Sequence, residues 1–349
     1  MIAATGGEPR RLTYHPGGDV AVAWAPDGKS IVFASNRTTE RDLPQLWTVP
    51  VTGGPAERVA LPSGNAASYS ADGKRVAYQP FPQWQPAWKH YRGGQASQIK
   101  NTVLWLVDVE HPTPVEIDQS RLEEPLSEGN EPAWSPDSQW ITYAKPMPNL
   151  MHAVFVYSLA DKSTHQLTDP RSDARAPRFD RSGKYLWFVA STNLGPATGA
   201  SDMSALGRAT TGSIYGIVLR KDLPSPFASE SDEEAAGSGS AAATKTEPKS
   251  TRIDLDNIDQ RIIAAPIPRA NYLGLEVGDN SLFVLSTVVA QSDEELNEVG
   301  IHAPAQVQKF DLKTRKLRRA RETPVRAPEA AGVPRLRAAP AEAMTAHIL

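Results

Sequence analysis

The sequence contains no cysteine among its 349 residues, which excludes a disulfide framework and any metal site made of thiolates. No apolar run approaches the roughly 18 residues that a membrane-spanning helix needs, and no basic and apolar leader precedes the first strand pattern. Lys and Arg (37) nearly balance Asp and Glu (40), so the basic excess typical of nucleic-acid-binding proteins is missing. We therefore expect neither a membrane span nor a nucleic-acid partner.

Motifs for catalysis and for cofactor binding are also missing. The chain has no Gly-x-Ser-x-Gly, no phosphate-binding loop and no Gly-x-Gly-x-x-Gly. Its seven histidines show no His-x-His or His-x-x-x-His spacing that would favour a metal site. The stretch from Asp254 to Asp259 begins like a calcium loop, but it has Ile258 at the fifth position and no glycine at the sixth. We expect no catalytic residue, no metal site and no cofactor in this chain.

The chain instead contains one short phrase four times. The copies read Trp24-Ala-Pro-Asp-Gly-Lys, Tyr69-Ser-Ala-Asp-Gly-Lys, Trp134-Ser-Pro-Asp-Ser-Gln and Phe179-Asp-Arg-Ser-Gly-Lys. Their turn residues Gly28, Gly73, Ser138 and Gly183 lie 45, 65 and 45 residues apart. A period in the forties is typical of one supersecondary unit stacked repeatedly.

Each unit reads as four strands. Alternating segments such as Asp19–Trp24 and Ser30–Ser35 flank the phrase, whose Pro, Asp and Gly favour a tight hairpin turn. A third strand follows at Gln45–Pro50 and a short fourth one near Glu57–Leu61. A lone sheet of this kind cannot bury both of its faces, so such units pack around an axis. The sequence predicts an all-β fold, a β-propeller of about six four-stranded blades, the first only partly present.

The turns divide the chain as a partial blade at 1–14, then blades at about 18–62, 63–118, 119–169, 170–255 and 256–319. Residues 223–250 are rich in Gly, Ser, Glu and Ala, so we expect a disordered insertion there. Residues 320–349 lack any aromatic residue and the strand period, and they read either as a disordered tail or as out-of-frame translation.

The first thirteen residues resemble the end of a blade. The segment Thr5-Gly-Gly-Glu-Pro-Arg-Arg-Leu-Thr13 is similar to Thr52-Gly-Gly-Pro-Ala-Glu-Arg-Val59. We therefore hypothesise that the chain begins inside a longer gene product. The absence of a leader is then uninformative, and both a cytoplasmic and a periplasmic location stay open.

Aromatic residues fall into two classes. Trp24, Trp47, Trp105, Trp134 and Trp187 recur in the repeated strands, so we expect them to pack blade against blade rather than to bind a ligand.

A second group lies in an inserted loop of the second unit and forms our candidate contact site for a peptide or a partner: Trp84, Trp88, Tyr91 and Arg92. The alternative is that this loop caps one end of the propeller and buries its own aromatic residues.

Several segments resemble a known family. The repeated phrase resembles the PD40 repeat of TolB-like propellers. The more specific stretches Trp88-Lys-His-Tyr-Arg-Gly-Gly-Gln95 and Leu223-Pro-Ser-Pro226 resemble the amino-terminal propeller region of tricorn-type serine peptidases of the S41 group. That resemblance covers about residues 5–319. It implies propellers followed by a PDZ domain and by catalytic domains, neither of which has a counterpart in this chain.

The resemblance leaves three functions to weigh. The first is the non-catalytic propeller portion of a tricorn-like peptidase, which gates or guides peptides and unfolded segments to catalytic and PDZ domains of the same gene product. The second is a free-standing TolB-like propeller that binds proteins. The third, an independent propeller hydrolase, is disfavoured by the missing nucleophile motif.

Overall fold

The computed structural model describes residues 1, 8, 10–38, 44–61, 64, 66–79, 101–120, 132–149, 151–191, 211–228, 250–287, 305–319, 336–338 and 346–348. Apart from one short 3-10 turn, Ile258–Arg261, the regular elements of this part of the chain are all strands. None of the described residues lies in a helix long and apolar enough to cross a membrane.

Twenty strands form five four-stranded antiparallel sheets, each a meander in chain order. Blade 1 comprises β1 (Asp19–Trp24), β2 (Ser30–Ser35), β3 (Gln45–Pro50) and β4 (Glu57–Arg58). Blade 2 comprises β5 (Ala66–Tyr69), β6 (Arg75–Gln79), β7 (Asn101–Asp108) and β8 (Val115–Ser120). Blade 3 comprises β9 (Ala133–Trp134), β10 (Trp140–Pro146), β11 (His152–Ser158) and β12 (Ser163–Gln166).

Blade 4 comprises β13 (Asp173–Phe179), β14 (Tyr185–Ser191), β15 (Ser213–Val218) and β16 (Ile262–Ala264). Blade 5 comprises β17 (Asn271–Gly278), β18 (Ser281–Thr287), β19 (Ala305–Asp311) and β20 (Lys316–Arg319). The sequence analysis ended the fourth unit at residue 255, whereas the outermost strand of blade 4 runs to Ala264. The 252–255 stretch alternates like a strand, but Asp254 there accepts a hydrogen bond from the backbone N–H of Lys221.

The all-β propeller architecture is confirmed, but the expected number of about six blades is wrong for the described residues. They contain five four-stranded sheets, the first of which begins at Asp19. Two further short strands, β21 (Leu336–Ala338) and β22 (Ala346–Ile348), pair with each other within the segment that the sequence analysis assigned to a tail. Strand β21 lies against β1, β17 and β18, between blade 5 and blade 1.

The repeated phrase builds one turn between the first two strands of a blade. Gly28, Gly73, Ser138 and Gly183 all have φ between 59° and 71°, the left-handed conformation that the phrase predicts. In each copy the turn residue donates its N–H to the carbonyl oxygen three positions earlier, at 2.9–3.1 Å. Blade 5 lacks the phrase and has a shorter turn of two residues between the paired Gly278 and Ser281, with Asn280 at a φ of 48°.

The two faces of each inner blade pack in different junctions. In β11, Val154 and Val156 point toward blade 4, whereas Phe155 and Tyr157 point toward blade 3's other neighbour, blade 2. The same alternation in the other blades produces four apolar junctions, which join blades 1–2, 2–3, 3–4 and 4–5. Among the described residues, no buried apolar cluster joins blade 5 to blade 1. Within the described residues, the five blades therefore pack as a series, with separate buried apolar clusters on the end faces of blades 1 and 5.

The repeated tryptophans pack either in a junction between two blades or on the end face of blade 1. Trp105, Trp134 and Trp187 pack in the junctions between blades 1 and 2, 2 and 3, and 4 and 5, as the sequence analysis predicted. Trp24 and Trp47 instead lie together on the end face of blade 1. The Trp134 indole N–H also donates to the Ser68 carbonyl oxygen at 2.9 Å, so it ties blade 3 to blade 2.

The turns of successive blades also contact one another. Ser138, which replaces the glycine of the other copies, accepts a hydrogen bond on its Oγ from the Asp72 N–H at 3.1 Å. Asp137 accepts the N–H of Thr251 on Oδ2 at 2.6 Å, which joins blade 3 to the chain that enters the last strand of blade 4. The turn residue Arg181 of blade 4 pairs with Asp279 of blade 5 at 3.3 Å. The phrase therefore closes hairpins and also joins blades.

The first residues of the predicted insertion 223–250 lie within the described part of the chain and pack in the core. The Phe227 ring sits between Trp187 and Phe310, at centroid distances of 5.9 and 6.3 Å, in the junction of blades 4 and 5. Arg315 donates to the Ala228 carbonyl oxygen at 2.7 Å. The Leu-Pro-Ser-Pro stretch that carries the family resemblance thus positions a junction side chain. Residues 229–249 lie outside the described residues.

We predict that Asp137→Ala costs more stability than Asp27→Ala. Both aspartates accept local N–H groups of their own turns, at 3.1 Å from Gln139 and 2.8 Å from Lys29, but Asp137 additionally accepts the Thr251 N–H from outside its blade. The extra loss in the free energy of unfolding should be about 1.5–3 kcal/mol, the usual range for a hydrogen bond to a charged acceptor. Urea unfolding of the two variants measures it, and equal losses would contradict a joining role for the phrase.

Candidate functional site

The candidate contact residues Trp84, Trp88, Tyr91 and Arg92 lie outside the described residues, so the structure places none of them. It does place the two ends of their loop, at Gln79 in β6 and Asn101 in β7. In an antiparallel meander the connection between the second and third strands emerges on the same side as the crossover from one blade to the next. We call this side the crossover face, and the side that carries the repeated phrase the turn face.

A buried polar cluster lies at the crossover face where blade 3 meets blade 4. His152 begins β11 and is fully buried, and its Nδ1 lies 2.6 Å from Asp173 Oδ1 at the start of β13. The other carboxylate oxygen of Asp173 accepts a hydrogen bond from Arg175 Nε at 2.8 Å. The sequence analysis weighed His152 only as a metal ligand and gave no signal for this pairing, because its partner lies 21 residues away in another blade.

The environment of Asp173 favours its ionised form. Burial by itself would raise the pKa of this carboxyl group, but the hydrogen bonds from His152 and the charge of Arg175 together lower it below its ordinary value of 3.8. His152 also donates its backbone N–H to Asp173 Oδ1 at 3.0 Å. Asp173 therefore acts as an anionic connector between two blades.

A second polar group joins blade 2 to blade 3 on the same face. Asp118 of β8 accepts hydrogen bonds from Tyr143 Oη and Lys145 Nζ of β10, both at 2.6 Å. Burial, and then the Asp118 carboxylate, raise the pKa of the Tyr143 hydroxyl, so this group stays protonated and donates. The Lys145 ammonium lies 5.3 Å from the centre of the Phe155 ring. The ion pair between Asp118 and Lys145 thus joins blade 2 to blade 3.

A serine, a histidine and an aspartate meet in the turn between β11 and β12, but their geometry is not that of a catalytic triad. Ser163 Oγ lies 2.8 Å and Asp161 Oδ2 lies 3.5 Å from the same atom, His165 Nε2. A triad needs the hydroxyl and the carboxylate on opposite nitrogens of the ring, so that the histidine can accept one proton while the acid orients it. This turn therefore lacks the arrangement that activates a serine.

Acidic residues gather on the turn face, around an open cleft of about 610 Å³ that is lined by residues of blade 4. Each of the three aspartates there has a basic partner: Asp222 pairs with Arg220, Asp254 with Arg252, and Asp256 with Lys221. Within the described part of the chain, no three His, Asp or Glu side chains are grouped to hold a metal ion. The segment that resembled the start of a calcium loop belongs to this charge network, and its Ile258 is buried.

We predict that Asp173→Asn lowers stability at neutral pH and weakens its dependence on acid. Because the folded-state pKa of Asp173 is lowered, its stabilisation is present above the ordinary value of 3.8 and is lost as the pH falls through the folded-state pKa. The variant should lose about 1.5–3 kcal/mol at pH 7, the range for a hydrogen bond to a charged group. Urea unfolding at pH 7, 4.5 and 3 measures both effects.

Asp169→Asn is the matched control, because its carboxylate is 61% exposed and its ion pair with Arg171 lies at the surface. Such pairs contribute at most about 1 kcal/mol. Equal losses for the two variants at pH 7 would contradict the connecting role of Asp173.

The sequence relatives found by comparison with known proteins are tricorn protease homologues. The chain is 25% identical over 162 residues to tricorn protease homolog 1 of Streptomyces coelicolor, a match that covers 44% of this chain and 14% of that protein. It is 24% identical over 184 residues to the tricorn protease homolog of Saccharolobus solfataricus, covering 52% of this chain and 15% of the relative. The matched region is therefore a small part of each relative's length.

Solved structures agree on the fold. A crystal structure of the tricorn protease matches 89% of this chain with a TM-score of 0.56 at 20% identity, and the match covers 27% of that chain. TolB from Acinetobacter baumannii matches 94% of this chain with a TM-score of 0.52 at 13% identity, covering 58% of its own chain. Both likenesses support the propeller architecture.

Two family models divide the chain between them. The model of the tricorn protease N-terminal β-propeller domain matches residues 1–119, which include blades 1 and 2. The model of the tricorn protease second β-propeller domain matches residues 85–323, more than half of the chain, and includes blades 3 to 5. The chain therefore belongs to the family of tricorn protease β-propeller domains.

Proposed function

We propose that this chain is the non-catalytic propeller portion of a tricorn-like peptidase, and that it gates or guides peptide substrates toward a catalytic domain. The observation that carries this proposal is the match of two tricorn propeller models, which together span residues 1–323. Both models describe propeller domains, and the part of the chain that they match is built of blades. The partners that this role implies are unfolded polypeptide segments and the other domains of such a protease.

The polar geometry supports a role without catalysis. The histidine–aspartate pair at the junction of blades 3 and 4 is buried and joins two strands, while the partly buried Ser163 and the exposed Asp161 share one ring nitrogen of His165. The first arrangement contains no hydroxyl, and in the second the carboxylate does not hold the opposite ring nitrogen, so neither contains a serine activated as in a triad. An independent hydrolase would need such a group or a metal site.

We propose that peptides bind at the crossover face. The loop with Trp84, Trp88, Tyr91 and Arg92 connects two strand ends on that face, and aromatic and arginine side chains are the types most enriched in binding hot spots. Propeller loops tolerate insertions because the blades hold their ends in place, as β6 and β7 do here. The likeness to TolB is one of fold only, at 13% identity, so we do not favour a free-standing binding propeller.

A binding experiment tests this proposal. We expect the purified chain to bind a fluorescein-labelled unstructured peptide of about 12 residues, measured by anisotropy, and to leave it intact by mass spectrometry. Trp88→Ala combined with Arg92→Ala should weaken binding at least about tenfold, equivalent to 1.4 kcal/mol, with an unchanged melting temperature. The matched control is Tyr14→Ala, because Tyr14 is an aromatic residue 77% exposed outside the loop.

Two outcomes would contradict the proposal. Cleavage of the peptide by the chain alone would show that it carries catalysis. A large drop in the melting temperature of the double variant would show that the loop buries these side chains to stabilise the propeller.

A further inference from the structure

The outermost hairpin of blade 5 carries a concentration of positive charge. It consists of β19, β20 and the turn 312–315 between them, and we call it the basic hairpin. Residues 305–319 contain six basic residues and one acid, Asp311, whereas the whole chain has a net charge of −3. The positive charge is therefore local to this part of the surface.

Strand alternation puts three of these cations on the side of blade 5 that faces away from blade 4. Phe310 and Leu317 pair across the hairpin, and both pack in the junction with blade 4. Their neighbours Lys309, Lys316 and Arg318 therefore project to the opposite side, and all three are exposed. Two adjacent strands thus present cations on one face.

Two of the cations lie directly opposite each other. Lys309 of β19 pairs with Arg318 of β20 in the register of the sheet, which puts their Cβ atoms about 5 Å apart. Like charges in this position repel and destabilise the pair of strands. On its other side the Lys309 ammonium lies 5.6 Å from the centre of the Phe283 ring, which carries no net negative charge. An anion beside Arg318 would relieve this repulsion.

The described residues supply no carboxylate that pairs with these cations. None of the ion pairs within the described part of the chain includes Lys309, Lys316 or Arg318. Asp311 lies opposite Lys316, but its Oδ1 accepts both the N–H and the hydroxyl of Thr314, at 2.7 and 2.9 Å. The three cations are therefore open to an anionic partner.

The edge of β20 indicates which class of partner fits. Among the described strands β20 pairs only with β19, so its other edge presents backbone N–H and C=O groups in extended geometry. An extended polypeptide can pair with such an edge, and its alternate side chains would then lie beside Lys316 and Arg318.

Nucleic acid and lipid surfaces fit the basic hairpin less well. Its single aromatic ring, Phe310, is fully buried and offers no stacking surface for a base. The exposed large apolar side chains of the described residues all lie outside blade 5, so the hairpin has no apolar anchor for a membrane surface.

We propose that the basic hairpin of blade 5 is a docking edge for an acidic, extended segment of another polypeptide. The segment adds a strand beside β20, and acidic side chains at every second position reach Lys316 and Arg318. Lys309 stands behind Arg318 and adds to the positive potential there. This edge is separate from the loop between β6 and β7, so the proposal holds whether or not that loop binds peptides.

The chain itself contains one competing segment. Arg315, in the turn of the basic hairpin, donates to the Ala228 carbonyl oxygen at 2.7 Å. In the sequence, residues 230–234 follow closely and contain four acids. A tethered acidic run would compete with a segment of another chain. The experiment therefore includes a variant without these acids: Glu230→Gln, Asp232→Asn, Glu233→Gln and Glu234→Gln.

The probe is a fluorescein-labelled peptide of about 10 residues that alternates Glu and Thr, and anisotropy measures its binding to the intact chain at about 50 mM salt. We expect no binding when Gln replaces every Glu. A peptide of the same composition with its Glu in one block should bind at least about fivefold more weakly, because only alternate positions face the cations. Raising the salt to about 0.5 M should weaken binding at least about tenfold, since salt screens exposed charges.

Lys316→Gln combined with Arg318→Gln should weaken binding at least about tenfold without changing the melting temperature, because both side chains are exposed. The matched control is Lys221→Gln combined with Arg252→Gln. It removes the same charge from blade 4, where these two side chains are 51% and 71% exposed. The control should bind the peptide within about twofold of the unchanged chain.

Three results with the peptides and variants would overturn the proposal. The first is equal binding of the alternating peptide and of its Gln or block form, which would show that neither charge nor strand geometry is recognised. The second is an equal loss of binding in the two double variants, which would show that net charge alone attracts the peptide. The third is at least about tenfold tighter binding by the variant without the acids of 230–234, which would assign the hairpin to the chain's own segment.

Two further results would assign the basic hairpin another role. Single-stranded DNA or vesicles of anionic lipid could bind more tightly than the peptide and lose that binding in the Lys316 and Arg318 double variant, which would identify a different class of partner. The same variant could self-associate by light scattering with peptide binding unchanged. The cations would then serve only to keep the edge from pairing with other copies of the chain.

Discussion

The structure depends on one constraint: both faces of each blade are apolar, and both must be shielded from water. A four-stranded sheet whose strands alternate Val154 and Val156 with Phe155 and Tyr157 is stable only between two neighbours. Among the described residues, stacking provides four such junctions, and on the end face of blade 1 a further buried cluster forms with Met1 and Leu12. The polar contacts between blades follow the same junctions, with Asp118, Asp173 and Asp137 each accepting hydrogen bonds from a neighbouring blade or its connection.

This constraint explains why the repeated phrase is more than a turn signal. Its proline, aspartate and glycine close a hairpin, and the sequence alone predicts that much, including the left-handed conformation at Gly28, Gly73 and Gly183. The structure adds that the aspartate and the residue after it also contact neighbouring blades, since Asp137 bonds the connection of the following blade and Ser138 bonds the preceding blade. Such contacts are invisible in the sequence because the partners Thr251 and Asp72 lie far away along the chain.

The sequence-based predictions failed where contacts between distant parts of the chain decide the structure. Local alternation predicted the third strand of blade 1 well, since β3 lies at Gln45–Pro50, where the pattern placed it. It failed for the last strand of blade 4, because three residues at 262–264 pair with β15 while the better-alternating 252–255 stretch makes charge contacts instead. Composition also placed Phe227 in an insertion, although its ring fills a junction. The candidate binding loop depends on residues outside the described part of the chain, so its role stays a prediction.

The proposed function depends on the same series of blades. A propeller that carries no activated serine and no metal cluster in its described residues can still position loops around an axis, and the family match is the basis of our proposal that it does so for a peptidase. Amide hydrogen exchange of the intact chain measures directly how the protection of each blade depends on its junctions. We predict the slowest exchange in β10, β11, β13 and β14, whose blades have a junction on each side, and faster exchange in blades 1 and 5, which each have one junction among the described residues. Uniform protection across all five blades would contradict it.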